Sequence, residues 1–107
     1  MSQLPGEKLR DEGIDRAVKH ADRVEPDWAL NALDYVRANA FGEFTAEDIR
    51  LEAEANGIPN PPHERAWGGV FVKARTEGFI KPTGHFRPAK HQKSHRGPKR
   101  VWVRVAA

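Results

Sequence analysis

Lys90, His91, Lys93, His95, Arg96, Lys99 and Arg100 fall within eleven residues of this chain. They belong to a larger run: from Gly78 to Ala107 there are eight Lys/Arg and no Asp or Glu. All fifteen acids lie at or before Glu77, where they outnumber ten Lys/Arg. Such segregation does nothing for folding, since like charges on paired strands repel. It suits a polyanionic ligand, and nucleic acid is the first class it points to. A cationic loop of this kind would lie over a sugar–phosphate backbone or insert Arg into a minor groove, releasing counterions in either case. Roughly 5–7 phosphate contacts give log affinity a slope of about −5 to −6 against log salt. The expected contacts are Arg87, Lys90, His91, Lys93, His95, Arg96, Lys99 and Arg100. His91 and His95 are four apart and His85 lies six before His91. A zinc site would need a fourth donor on rigid elements. These imidazoles therefore read as extra positive charge beside phosphates, strongest at mildly acidic pH.

Such a loop needs a frame. Glu7 to Asp22 reads as a polar helix with a thin apolar stripe of Ile14, Val18 and Ala21, weakened by Gly13. An accessory helix, a partner surface and a loose arm all fit it. Pro26 suits a first turn, and Ala29, Ala32, Leu33, Val36 and Ala40 recur at helical spacing until Phe41-Gly42 stops them. Glu43-Phe44 is a very short extended piece. Thr45 then caps a helix from Ala46 to Asn56, with Asp48 in a capping-box variant and Gly57 ending it. Asn60-Pro61-Pro62 opens a third helix that closes at Gly78. Phe79-Ile80-Lys81 and Arg100 to Val105 read as strands, leaving Thr83 to Lys99 as a long hairpin loop. Trp102 alternates away from Val101, Val103 and Val105, and either covers the core from the other sheet face or offers a base-stacking platform.

This element order is that of an α+β winged helix-turn-helix: three helices plus a β-hairpin wing, here with an additional N-terminal helix. The expected division is a polar helix or arm over residues 1–24 and a winged-helix domain over 25–107, with its basic wing at about 82–100. On the third helix Ala66, Trp67, Val70, Phe71 and Ala74 gather on one side, assigned to the core. The opposite side carries Arg65, Gly69, Val72 and Thr76, flanked by Gly68, Lys73 and Arg75. A helix in a major groove needs small residues where backbones approach and cations where guanine edges or phosphates lie. Arg65, Gly69, Val72, Lys73, Arg75 and Thr76 are accordingly the expected DNA contacts of this helix. Two central glycines cost a helix on the order of 1–2 kcal/mol, so something requires close approach. Packing against another helix and contact with DNA answer that equally well.

The composition excludes several classes. There is no cysteine, hence no disulfide framework and no Cys-based zinc site. No apolar run approaches the roughly 20 residues of a membrane-spanning helix, and the segment MSQLPGEKLRDEG lacks a hydrophobic signal region. A cytoplasmic protein without membrane contact is expected. No phosphate-cradling glycine loop or Ser/His/Asp arrangement stands out, so neither catalysis nor a cofactor is expected.

Leu9 to Ile14, Glu43 to Asp48, Ala66 to Phe71, Gly78-Phe79-Ile80 through Gly84, and Arg87-Pro88 to Val101-Trp102 together resemble small winged-helix proteins of unassigned function from actinobacterial phages and prophages. The resemblance covers most of the chain and rests on the order and spacing of these pieces. It implies a phage-encoded DNA-binding protein acting in a bacterial host cell, and supplies no catalytic residues. The double glycine and the proline-rich approach to the third helix depart from the usual pattern. The resulting expectation is a double-stranded DNA binder, serving phage gene regulation or replication and recombination, as a monomer or homodimer. The competing expectation is an interaction module whose acidic N-terminal half docks on a host protein.

Overall fold

The computed structural model describes residues 5–88 and 98–105, with side chains from residue 12 onward. It is a mixed α+β fold. Among the described residues there are four helices, α1 (Pro5–Val24), α2 (Trp28–Asn39), α3 (Ala46–Ala55) and α4 (Arg65–Thr76). A three-stranded antiparallel sheet comprises β1 (Glu43–Thr45), β2 (Ile80–Arg87) and β3 (Lys99–Arg104) in the order β1-β3-β2.

Local chemistry accounts for most boundaries. Thr45 Oγ1 accepts from the Asp48 amide at 3.1 Å while Asp48 Oδ2 accepts from the Thr45 amide at 3.0 Å, closing the capping box at the start of α3. Helices α3 and α4 end alike. Gly57 and Gly78 take positive φ, and the following amides, Ile58 and Phe79, donate back to Ala53 and Ala74 carbonyls. Those carbonyls would otherwise lack partners at a helix C-terminus.

Three boundaries differ from the sequence reading. Helix α4 begins at Arg65, not at Asn60-Pro61-Pro62. Ile58, Asn60 and Pro61 each precede a proline, which disfavours the helical region for the residue before it. The segment instead hangs from the core: Trp28 Nε1 donates to the Pro59 carbonyl at 2.7 Å. The hairpin is more regular than a loop from Thr83 to Lys99, because β2 runs to Arg87 and β3 starts at Lys99. Thr83 Oγ1 donates to the Val101 carbonyl at 3.0 Å, and the register shifts between Pro82 and Phe86 in a bulge around Gly84. Finally, the N-terminal segment is no separate arm. Ala21 is fully buried in the common core, and the Ala29 amide donates to Asp22 Oδ1 at 2.9 Å.

The core is aromatic. Trp28 and Trp67 meet edge to face with centroids 5.3 Å apart. Phe71 of α4 packs on Phe44 and Trp102 at 6.2 and 5.7 Å, so Trp102 covers the core on the sheet face that meets α4. Arg104 ties the end of β3 to the end of α2. Its Nη1 donates to the Arg37 and Ala40 carbonyls at 2.8 and 3.2 Å, and its guanidinium lies over the Phe41 and Phe79 rings. A cation here also complements the negative end of the helix dipole.

Candidate functional site

The cations singled out in the sequence separate into two groups, one on α4 and one on the β2–β3 hairpin. On α4 the apolar residues fold inward as their spacing requires: Ala66, Trp67, Val70, Phe71 and Ala74 are all buried. The outward face is not free along its length. Helix α1 crosses it at the glycine pair. A Cβ on Gly69 would stand 2.4 Å from Val18 Cγ2 and 3.2 Å from Ile14 Cγ2, and one on Gly68 would stand 3.6 Å from Ile14 Cδ1. The expectation of Gly69 as a DNA contact is thereby corrected: α1 occupies the space in which a groove edge would have to lie. Close helix packing is what these glycines permit.

Arg65 remains exposed at the first position of α4, its amide donating to His63 Nδ1 at 3.1 Å. Its guanidinium reaches back to α1, with Nη1 3.2 Å from where a Gly13 Cβ would be. Farther along α4, Val72, Lys73, Arg75 and Thr76 are exposed. The Thr76 hydroxyl donates to the Val72 carbonyl at 2.9 Å. Val72 and Lys73 also edge an apolar groove of about 530 Å³ between α1, α2 and α4, floored by Ile14, Val18, Leu30 and Leu33. That groove was not foreseen from the sequence, whose apolar stripe on α1 was its only signal.

On the hairpin, register fixes which side chains share a face, since directly opposed residues of an antiparallel pair point the same way. Phe86 opposes Arg100 and Arg87 opposes Lys99. Arg100 and Trp102 lie two apart on β3, so Phe86 and Arg100 extend the sheet face on which α4 packs. The Arg100 guanidinium lies 5.9 Å from the Trp102 ring centroid. Arg87 Nη1 lies 3.7 Å from Asp48 Oδ2, a loose ion pair that ties the hairpin to the start of α3. Lys81 is exposed on β2. Lys90, His91, Lys93, His95 and Arg96 lie outside the described residues.

One tail cation is committed to the fold, because Arg104 is held by two carbonyls and two rings. Nothing in the alternation of β3 distinguished it from Arg100. Away from the hairpin, burial pushes the Tyr35 phenol above its ordinary range, with the Glu52 charge beside it adding to the shift. Among the described residues, no group of three or more His, Cys, Asp or Glu is placed to hold a metal ion, and no helix is long and apolar enough to cross a membrane. The arrangement can offer a line of cations to an extended anion. No family model, curated protein or solved structure matches the chain.

Proposed function

We propose that this chain is a non-enzymatic, winged-helix protein that binds double-stranded DNA chiefly through its hairpin. Helices α2, α3 and α4 followed by β2–β3, with β3 central in the sheet, support the winged-helix reading. The observation that carries the function is charge placement. Eight Lys/Arg without one acid fall from residue 78 onward, and Lys81, Arg87, Lys99 and Arg100 stand on the two strands of the hairpin. Phosphate neutralisation supplies affinity without sequence information.

Energetics argue against deep entry of α4 into a major groove. Freeing its glycine face would expose Ile14, Val18 and the buried Ala21. Losing such burial costs on the order of 3 kcal/mol, roughly a hundredfold in affinity. Base reading therefore falls to the exposed C-terminal part of α4, around Val72, Lys73, Arg75 and Thr76, and sequence discrimination is shallow.

The test is anisotropy of a labelled random-sequence duplex over a salt series. Wild type should bind with micromolar affinity and a slope of about −5 to −6. Changing Lys90, Lys93, Arg96, Lys99 and Arg100 to Ala should abolish measurable binding. Absence of binding by the wild-type protein at low salt would overturn the proposal and favour the protein-interaction reading.

A further inference from the structure

We infer that Phe86 is a base-stacking residue by which the hairpin selects DNA carrying an unstacked base, as at a fork. The inference rests on the DNA-binding reading above and names the substrate that reading leaves open. Phe86 is 60% exposed. It sits where residues Gly84 to Pro88 are all exposed. Arg100 opposes it and shares its face, while Arg87, which pairs loosely with Asp48, and Lys99 opposite it take the other face of the strand pair.

A phenyl ring serving only to steady the hairpin would be covered by the side chain across from it. Arg100 is that side chain, and its guanidinium is drawn to the Trp102 ring instead. Among the described residues neither another ring nor a cation meets Phe86, in contrast to Phe41 and Phe79, which Arg104 covers. An uncovered ring on a strand pair that also bears Arg87, Lys99 and Arg100 matches the two needs of an unpaired nucleotide. Its base offers a π-face for stacking, and its phosphates seek positive charge. In an intact duplex the bases are already stacked on one another, and the ring finds only the edges of the grooves. A fork presents a base with one face open.

The experiment compares a forked duplex with an intact duplex of equal length, the fork carrying 2-aminopurine at its first unpaired position. Wild type should prefer the fork roughly tenfold, the scale on which one base stacks on an aromatic, and should quench the 2-aminopurine. Phe86→Ala should bind both duplexes as wild type binds the intact one, without quenching, and Phe86→Trp should keep the preference. Because the side chain is exposed, Phe86→Ala should melt within a degree or two of wild type. Equal binding of fork and intact duplex by wild type would overturn the inference and leave DNA binding standing. So would an equal loss on both substrates in Phe86→Ala. Failure of wild type to bind either duplex would overturn the DNA-binding reading itself.

Discussion

The contact between α1 and α4 decides how much of α4 is open to a ligand, and two neighbouring alanine substitutions test it. Gly68 and Gly69 occupy the same helix and the same turn, so replacing either by alanine gains a similar propensity term of about 0.8–1 kcal/mol. They differ in what a new methyl meets. At position 69 it would lie 2.4 Å from Val18 Cγ2, where no pair of carbons sits without movement. Carbon pairs rest at about 3.5–4.0 Å, so α1 must withdraw by about 1 Å or Val18 must leave its rotamer. Overpacking of this kind costs about 1–3 kcal/mol. At position 68 the nearest atom is Ile14 Cδ1 at 3.6 Å, an ordinary contact. The Gly68→Ala protein should therefore be up to about 1 kcal/mol more stable than wild type, and Gly69→Ala should be about 1 kcal/mol less stable. Urea unfolding followed by tryptophan fluorescence measures both, since Trp28, Trp67 and Trp102 are all buried. Adding Val18→Ala to Gly69→Ala should recover part of the loss, a non-additivity expected only of touching residues. If the two single substitutions shift stability equally, α1 does not lie on the glycine face and the case against α4 as the principal reader fails.

Two further outcomes follow from the geometry. The chain has no cysteine, and a Cβ on Gly69 would lie 3.9 Å from Val18 Cβ, within the roughly 3.5–4.5 Å that disulfides span. The pair Val18→Cys and Gly69→Cys should thus oxidise to lock α1 in place. If the hairpin carries most of the contact, as proposed, duplex affinity of the locked form should stay within about twofold of its reduced form. A large loss on oxidation, measured by anisotropy, would mean that α1 must swing away for binding. Arg104→Met should cost about 2 kcal/mol in urea unfolding, because it removes two charge-assisted hydrogen bonds and leaves the Arg37 and Ala40 carbonyls without that partner. Its duplex affinity under native conditions should be nearly that of wild type, unlike a substitution of Lys99 or Arg100.

The parts of the fold set by short-range chemistry were legible in the sequence. Thr45 with Asp48 announced the start of α3, and Gly57 and Gly78 announced two helix ends, because each acts on backbone groups within a few residues. The buried stripe of α4 followed from helical period alone. What escaped were choices made by distant partners. Polar α1 gives little hint of its neighbour, and the thin stripe of Ile14 and Val18 becomes meaningful only when set against Gly68 and Gly69, more than fifty residues away. The stretch from Thr83 to Lys99 reads as a loop because it is rich in Pro, Gly, Lys and His. Along an edge strand a proline is tolerated and a glycine marks a bulge. Arg104 and Arg100 are alike in sequence, yet one caps α2 and the other faces solvent, a difference that only tertiary placement creates.

The sheet order has a consequence for how the chain is made. β3 lies between β1 and β2, and those two strands form no ladder with each other. The middle strand is thus also the latest of the three to be synthesised. Until Lys99 to Arg104 have emerged from the ribosome, Glu43 to Thr45 and Ile80 to Arg87 lack the strand they pair with. A frameshift or stop just upstream of Lys99 would dissolve the whole sheet, whereas a comparable lesion in an up-and-down meander would strip a single edge.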